Sequence, residues 1–382
     1  MARRVVIVGP AHPLRGGGMS TFNERLAMAF KEAGDEVEIV SFSLQYPSFL
    51  FPGKSQYTDE PAPAGLRIKT LINSINPISW IRTGNYIRKQ CPDLVIFRYW
   101  LPFMGPALGT IARIIRRNRY SRILAIADNV VPHEKRPGDT PFTKYFLSAC
   151  HGFVTMSRAV QQDLERFEPT KPNVYLPHPL YDNFGEAETK QEACDAISLD
   201  PRYSYILFFG FIRAYKGLDL LLKAMAEPVL NARADIKLLV AGEFYEDAGP
   251  YHELIQKLEL QNRLVLRTDF IPNAEVRHYF CAADLVVQPY KHATQSGVTQ
   301  VAYHFDKPMV VTNVGGLSEL VPHREVGYVV EPHSKAIADA ILDFYTSGKS
   351  ESYTHNISRY KQRFSWTRFI EAVYELAGRV RL

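Results

Sequence analysis

The amino-acid sequence predicts an α/β protein with two Rossmann-like, doubly wound domains that face each other across a cleft. Its 382 residues are enough for two domains of ordinary size. In both halves, short apolar runs alternate with segments of helical periodicity, which is typical of parallel sheets with crossover helices. A stretch with prolines and polar residues, 177–196, separates the halves. We therefore expect domains at 1–183 and 184–364, and a C-terminal helix at 365–382 that packs toward the first domain.

The first half contains four predicted strands and two predicted helices. Strands are predicted where β-branched runs end at turn residues, and helices where apolar residues recur every three or four positions. The strands span residues 4–9, 36–42, 93–98 and 123–127, and the helices span 20–33 and 106–117. The segment 43–63 is rich in aromatic residues and proline without periodicity, so we expect it to be irregular.

The second half repeats this plan. Strands are predicted at 204–211, 236–241, 264–270, 284–288 and 309–312, and helices at 217–225, 251–260, 273–283 and 298–305. Open α/β sheets bind ligands at the carboxyl ends of their strands, so the residues that follow each predicted strand are the first candidates for a site.

Composition excludes several classes of protein. Hydrophobic residues make up 46% and charged residues 22%, which is ordinary for a globular chain. No apolar run approaches the ~20 residues that a membrane span needs, and the first nine residues resemble a strand more than a signal peptide. The four cysteines are scattered without a Cys-x-x-Cys spacing. We therefore expect neither disulfides nor a zinc site, and a cytoplasmic location.

The charge is unevenly distributed along the chain. Residues 1–183 contain 23 Lys and Arg against 15 Asp and Glu, whereas residues 184–382 contain 22 against 25. This excess is too small to favour nucleic acid, but it fits an anionic ligand or an anionic membrane surface. On the predicted helix 106–117, Leu108, Ile111 and Ile115 form an apolar stripe beside a cluster of arginines: Arg113, Arg116, Arg117 and Arg119. This pattern predicts peripheral attachment to the inner membrane surface; the alternative, that the stripe faces the sheet, stays open.

The segment 208–219 is the most informative stretch. An apolar strand ends at Gly210, and Arg213 and Lys216 occupy a turn that leads directly into a helix. Two cations at a helix N-terminus suit phosphate oxygens, because the free backbone N–H groups and the helix dipole add to their charge. A solvated pair of charges on a loop is the alternative.

Gly210, Lys216 and Gly217 keep the register of a motif with the pattern Gly-Arg-x-x-x-x-Lys-Gly, although Arg213 comes two positions late. Further matching segments occur in the same order at 240–242, 269–272, 283–289, 307–311 and 315–319, and a glycine-rich loop, Gly16, Gly17 and Gly18, follows the first strand. In these features the chain resembles the retaining glycosyltransferases of family 4, which have the GT-B fold.

The resemblance implies a nucleotide-sugar donor held mainly by the second domain and a glycan or lipid-linked acceptor held mainly by the first. It implies that Arg213 and Lys216 neutralise the leaving diphosphate as catalytic residues, with the acceptor proton passing to that phosphate on the same face of the sugar. It further implies no cofactor beyond the co-substrate, no metal, UDP in preference to GDP, and a place in polysaccharide biosynthesis.

One departure from the family lies at 294–302, where two glutamates eight positions apart usually contact the donor. Here the segment has no carboxylate, and Gln295 and Gln300 stand near those positions. Glutamine can still hydrogen-bond sugar hydroxyls, and the backbone around Ser296, Gly297 and Val298 can approach a phosphate closely. The alternative is that both glutamines cap or face a helix.

The remaining candidates come from the same resemblance. His133, in the loop after the strand 123–127, is the expected contact to the donor sugar, unless it pairs with a neighbouring carboxylate such as Asp128 or Glu134. The loop glycines, Phe270, Ile271 and Glu319 are expected near the nucleotide, although Glu319 equally fits the start of a helix.

Two functions from other classes remain open. A non-catalytic subunit that binds sugar nucleotides or glycans would explain the missing glutamates, and a sugar-nucleotide epimerase would use the same fold. A dinucleotide oxidoreductase fits poorly, because no Gly-x-Gly-x-x-Gly follows the first strand.

Overall fold

A computed structural model describes residues 2–15, 18–47, 55–131, 136–293 and 296–381. The chain divides into two compact units, one formed by residues 1–179 and 364–382 and the other by residues 180–363. The boundary that the sequence predicts between its halves lies a few residues further along the chain. The C-terminal helix belongs to the first unit.

In the described part of the first unit, seven parallel strands form a sheet in the order β3-β2-β1-β4-β5-β6-β7. Its elements are β1 (Arg4–Val8), α1 (Gly18–Glu32), β2 (Glu36–Leu44), β3 (Arg67–Asn73), α2 (Pro77–Gln90), β4 (Leu94–Tyr99), α3 (Gly105–Arg116), β5 (Arg122–Ala127), α4 (Asp139–Leu147), β6 (Gly152–Thr155), α5 (Arg158–Phe167) and β7 (Asn173–Tyr175).

The second unit contains a sheet in which the described strands are all parallel and follow the order β10-β9-β8-β11-β12-β13. Its elements are α6 (Lys190–Ala196), β8 (Ser204–Phe209), α7 (Leu218–Ala226), α8 (Pro228–Asn231), β9 (Ile236–Ala241), α9 (Gly249–Lys257), β10 (Leu264–Arg267), α10 (Val276–Ala282), β11 (Leu285–Gln288), α11 (Gly297–His304), β12 (Met309–Thr312), α12 (Leu317–Leu320), β13 (Gly327–Val330), α13 (Ser334–Thr346) and α14 (Ser350–Tyr360). The last helix, α15 (Trp366–Arg379), returns to the first unit.

Helices cover both faces of the first sheet. On one face α1 packs against α15, where Phe22 lies 5.2 Å from the Trp366 ring and Phe30 lies 5.5 Å from the Tyr374 ring. On the other face α2, α3 and α4 lie over the buried apolar residues of β4 and β5. Both strand orders reverse direction at the first strand of each unit, which places the switch point of each sheet at the carboxyl end of β1 or β8.

Several predicted elements differ from the structure. The strand predicted at 264–270 ends at Arg267, so Phe270 and Ile271 lie in the loop that follows it. The predicted irregular segment 43–63 begins with the last residues of β2. The sequence analysis missed β3, an edge strand whose residues are largely exposed and therefore lack an apolar run, and the short strands β6, β7 and β13. It also missed the helices α2, α4, α5, α6, α8, α13 and α14.

The membrane-binding stripe predicted on the helix 106–117 is wrong. Leu108, Ile111 and Ile115 are completely buried in the core of the first unit. The arginine beside them is also engaged, since Arg113 donates to the Gly109 carbonyl and stacks on Tyr145 at 3.7 Å. The amphipathic pattern of this helix therefore reflects packing against the sheet. Among the described helices, none is both long enough and apolar enough to span a membrane.

Candidate active site

The candidate site of the second unit begins where β8 ends. Gly210 takes a φ of +95°, and a single 3-10 turn, Ala214–Lys216, then leads through Gly217 into α7. A Cβ on Gly217 would lie 2.0 Å from the Pro289 carbonyl oxygen, so only glycine fits there. The loop after β9 also approaches the loop after β8 closely, because a Cβ on Gly242 would lie 2.3 Å from the Gly210 carbonyl oxygen.

Lys216 points back into this edge of the sheet. Its side chain is buried, 9% exposed, and within the described residues no oxygen accepts a hydrogen bond or salt bridge from its ammonium group. Nζ would lie 2.9 Å from a Cβ on Gly210, and it lies 5.8 Å from the centre of the Tyr290 ring. Burial and, to a smaller extent, the charge of Arg213 lower the pKa of Lys216 from 10.5 to about 8.

Arg213 lies at the start of the same turn. Its guanidinium packs 5.2 Å from the Tyr245 ring, which itself stacks on Phe211 at 4.1 Å. Because Arg213 raises the cost of charging Lys216, the two cations are close enough to repel each other. The Glu246 carboxylate accepts a 2.8 Å hydrogen bond from the Ala214 N–H of the same turn, but among the described residues it forms no salt bridge with either cation. Two mutually repelling cations without a salt bridge favour an anion as their partner.

The first turn of α11 lies beside this turn. The Val298 Cγ2 atom would lie 3.9 Å from a Cβ on Gly210. Ser296 precedes the helix, is buried and shares a 3.2 Å hydrogen bond with the Tyr290 hydroxyl, so its side chain does not cap the helix. Gly297 is the first helical residue, and a Cβ there would lie 2.8 Å from the Tyr181 ring. The first N–H groups of α11 therefore stay available to an anion.

Gln300 occupies the second turn of α11. It is 0% exposed, and neither its Nε2 nor its Oε1 atom has a hydrogen-bond partner. Its neighbour Gln288 is also buried but exchanges hydrogen bonds of 3.1 and 3.2 Å with Thr299. An unpartnered buried amide is costly. Gln300 is therefore the described residue of this region that most needs a polar ligand.

The other candidates predicted from the sequence have different surroundings. Gly18 begins α1 in the first unit, Phe270 and Ile271 are half-buried in the loop after β10, and Glu319 is exposed on the short helix α12. His133, Gly16, Gly17 and Gln295 lie outside the described residues.

The sequence analysis missed a buried polar cluster in the first unit. At the carboxyl ends of β4 and β5, Arg98 donates two 2.6 Å hydrogen bonds to Asp128 and stacks on Phe22 at 4.0 Å. The third nitrogen, Nη1, and the Asn23 Oδ1 atom are buried without partners. The nearby Glu24 carboxylate accepts from the His12 N–H, yet burial raises its pKa to about 7. The sequence did contain one sign of this cluster: Arg98 is a charged residue in an otherwise apolar strand.

The described residues contain no group of three or more His, Cys, Asp and Glu side chains arranged to hold a metal ion. The groups at the carboxyl end of β8 are cationic and hydrogen-bonding: Arg213, Lys216, the N–H groups of α11 and the Gln300 amide. This set can hold a phosphorylated ligand and stabilise negative charge that develops on it.

Comparisons with known proteins give a consistent result. The profile described as "Glycosyl transferases group 1" matches residues 203–347. The D-inositol 3-phosphate glycosyltransferase of Pseudarthrobacter chlorophenolicus is 32% identical over 359 residues, which cover 86% of this chain and 82% of the relative. The lipopolysaccharide core biosynthesis mannosyltransferase LpsB of Rhizobium meliloti is 28% identical over 220 residues, which cover 53% of this chain and 61% of the relative.

Solved structures match over nearly the whole chain. The sucrose-phosphate synthase of Thermosynechococcus elongatus has a TM-score of 0.73 at 17% identity, covering 98% of each chain. Anabaena HepE in complex with UDP has a TM-score of 0.70 at 16% identity, covering 98% of this chain and 99% of the other.

Proposed function

This chain belongs to the group 1 glycosyltransferases, and from that premise we propose that it transfers a hexosyl group from a nucleotide-diphosphate sugar to a glycan or lipid-linked acceptor. The expected GT-B fold is confirmed by the two parallel sheets and by the solved structures that share them. We further propose that transfer retains the anomeric configuration, that it needs no metal ion, and that the donor is a UDP-sugar.

The observation that carries this proposal is the buried ammonium of Lys216. A buried cation without an acidic neighbour destabilises the free protein, so its position is explained best by an anion that arrives with a ligand. Arg213 lies in the same turn and lowers the pKa of Lys216 by its charge, and Val298 in the first turn of α11 would lie 3.9 Å from a Cβ on Gly210. A diphosphate offers enough oxygens to satisfy all three groups at once.

The same groups fit the chemistry of transfer. The bond between the anomeric carbon and the diphosphate oxygen breaks, and its electron pair moves onto that oxygen. The acceptor hydroxyl oxygen bonds to the anomeric carbon on the same face, and its proton passes to the departing diphosphate. Lys216 and Arg213 then stabilise a charge that grows as the bond breaks, which lowers the barrier rather than only tightening binding.

Gln300 would recognise the donor without charge. Its amide offers both donor and acceptor atoms to hydroxyl groups of the sugar or the ribose. UDP is favoured because HepE, one of the structurally similar proteins, has been crystallised with UDP and with UDP-glucose.

We place the acceptor on the first unit, where Arg98, Asn23 and Glu24 supply polar groups at the carboxyl edge of the sheet. An anionic membrane surface is a further proposed partner, because lipid-linked acceptors reside there.

A donor panel tests this proposal. UDP-glucose, UDP-galactose, UDP-N-acetylglucosamine and GDP-mannose are compared by thermal shift; a true donor at about 100 times its Kd should stabilise the protein by about 2.7 kcal/mol. Turnover of that donor is then followed with EDTA present, and NMR assigns the anomeric configuration of the product. Stabilisation by none of the nucleotide sugars would contradict the proposal, and loss of turnover in EDTA with recovery in Mn²⁺ would contradict metal independence.

The same panel separates the two alternatives. A non-catalytic binding subunit would be stabilised by a donor but would neither hydrolyse nor transfer it with any acceptor extract. An epimerase would convert the donor into its isomer without an acceptor. The absence of a carboxylate at Gln300 is the observation that keeps the binding subunit under consideration.

A further inference from the structure

A small cavity opens at the amino ends of the strands of the first unit. Its volume is about 240 Å³, and its lining includes residues at the starts of β1, β4 and β5 and at the end of α15. All of these residues belong to the first unit. Because the strands are parallel, their carboxyl ends form the opposite edge of the sheet, where the proposed function places the acceptor. We call this space the amino-edge cavity.

Two arginines line the amino-edge cavity without a salt bridge to a described residue. Arg122, the first residue of β5, is half-buried, and within the described residues nothing accepts a hydrogen bond from its buried Nε atom. Arg3 holds its guanidinium 4.1 Å from the centre of the Tyr374 ring, whose hydroxyl donates to Asp35. The planar fork of N–H donors on a guanidinium matches the oxygens of a carboxylate or a phosphate. The lining therefore offers cationic donors to an oxyanion.

The acids of this region already have partners. Asp93 lines the cavity, and its two oxygens accept a 2.5 Å hydrogen bond from the Tyr120 hydroxyl and a 2.8 Å hydrogen bond from the Arg4 N–H. Asp35 accepts a 3.0 Å hydrogen bond from the Arg3 N–H. Two arginines and one aspartate leave the lining with an excess of positive charge, which an anionic ligand would balance.

Gly378 is an independent sign that this space is kept open. It lies in the last turn of α15 with a φ outside the positive range, so its backbone conformation does not require glycine. A Cβ added to Gly378 would have no heavy atom within 4 Å, so close packing does not require glycine either. Glycine weakens a helix relative to alanine. Because Gly378 lines the cavity, the missing side chain leaves room for a ligand.

We propose that the amino-edge cavity binds a small organic anion whose phosphate or carboxylate group is held by Arg3 and Arg122. The buried side chains of Leu94 and Ala377 would contact a short apolar part of the same ligand. A bound anion would link three strand starts to α15 and stabilise the first unit by mass action. The inference is independent of the proposed function, because these residues take no part in the proposed transfer.

Unfolding of the first unit in urea tests the site. All three tryptophans belong to the first unit, so their fluorescence follows its unfolding. The full chain is unfolded at constant ionic strength with propyl phosphate, with butyrate, with propan-1-ol or with no probe. We expect at least one of the two anions, but not the neutral alcohol, to raise the urea midpoint. The more effective anion shows whether a phosphate or a carboxylate is preferred.

Two variants remove the site by different means. R122Q removes the charged fork and should weaken anion binding at least about tenfold in calorimetric titration. G378L fills the cavity and should weaken binding to a similar extent, with little effect on the free protein because its side chain enters open space. R368Q removes an exposed arginine near the start of α15 and is the matched control, which should keep the wild-type affinity. K216M alters the proposed phosphate site of the second unit and should also keep it.

Stabilisation by neither anion would overturn the proposal, because the cavity would then hold only water. Equal stabilisation by propan-1-ol would overturn the role of charge. Wild-type affinity in either R122Q or G378L would place the anion elsewhere, and loss of binding in K216M would assign it to the second unit.

Discussion

Lys216 shows how a single residue links the sequence to the proposed reaction. It lies after a strand, in a turn held by two glycines with positive φ, and its charge is buried without a described counter-ion. Burial disfavours the charged form of Lys216, so its ammonium group destabilises the free protein. A bound diphosphate would offset that cost by pairing with the ammonium group. Removing the charge should therefore raise the stability of the free protein and lower the rate of transfer.

The stability of the free protein should rise when this charge is removed. The folded pKa of Lys216, about 8, lies below its ordinary value of 10.5, so between these values the unfolded chain binds more protons and stability increases with pH. We expect K216M to be more stable than the wild type at pH 7, with the difference shrinking as the pH rises from 8 to 10.5. Urea unfolding followed by circular dichroism measures this. A pH-independent difference would contradict the burial of the charge.

The rate of transfer should fall when the same residue is truncated. In K216A the growing charge on the diphosphate loses one donor, which should cost about 3–4 kcal/mol, or roughly 10²–10³ in kcat. R213A should act in the same direction, and the double variant should lose less than the sum, because both cations serve one charge. K223A, which removes a lysine paired with Asp219 on α7, is the control. Near-normal turnover of K216A at saturating donor would place the phosphate site elsewhere.

Gln300 permits a sharper test of ligand recognition. Because both of its amide atoms are buried without partners, Q300L should leave the stability of the free protein unchanged or raise it, while weakening donor binding about tenfold. The neighbouring buried amide of Gln288 is hydrogen-bonded, so Q288L should instead destabilise the fold. Calorimetric titration and urea unfolding of both variants separate the two roles. Unchanged donor affinity in Q300L would remove Gln300 from the site.

At the scale of elements, α2 and α3 show that similar amphipathic patterns have different causes. Both helices carry apolar residues and arginines, yet α3 turns its isoleucines into the core and α2 exposes two of them. We expect I111A to destabilise the first unit by about 2–5 kcal/mol, and I81A to change its stability by less than about 0.5 kcal/mol. All three tryptophans belong to the first unit, so tryptophan fluorescence in urea reports on it directly. Equal effects of the two substitutions would contradict this distinction.

At the scale of the whole molecule, the two units should differ in their response to acid. Two histidines of the first unit are buried among the residues that the structure describes: burial lowers the pKa of His178 to about 3 and that of His151 to about 4. His151 must also lose the hydrogen bond that its Nδ1 atom accepts from the Ile123 N–H when it is protonated. The unfolded chain binds these protons near pH 6.5, so both histidines make the stability of the first unit fall as the pH drops from 6.5 toward 4. Glu24, whose raised pKa acts in the opposite direction, offsets part of this loss, and we expect the two histidines to prevail.

Tryptophan fluorescence in urea at pH 7 and pH 5 measures that loss. The variant H151Q/H178Q should show a smaller loss between the two pH values than the wild type does. H355Q, which replaces an exposed histidine of the second unit, should leave the pH dependence of the first unit unchanged. An identical pH slope in the double variant would show that other groups cause the acid sensitivity.

The sequence predicted much of the fold because its central strands are largely apolar runs. β1, β4, β5, β8 and β9 are buried on both faces, which forces such a composition and makes them easy to recognise. The edge strand β3 is solvated and lacks that composition, and β6, β7 and β13 are only three or four residues long, so these strands were missed. The Lys216 turn was found because glycines and cations follow a strand, whereas the Arg98–Asp128 pair was missed because its partners are 30 residues apart.

The sequence by itself determined the parallel architecture and the kinship with glycosyltransferases, and it located the Lys216 turn on which the proposed phosphate site rests. These features are encoded locally, in periodicity, in turn glycines and in ordered motifs. Only the tertiary structure decided which charges are buried and which apolar faces are exposed. It left Lys216 without a described counter-ion and Gln300 without a partner, placed the α3 isoleucines in the core, and exposed those of α2. The physical reason is that burial depends on what packs against a side chain, and those neighbours come from distant parts of the chain.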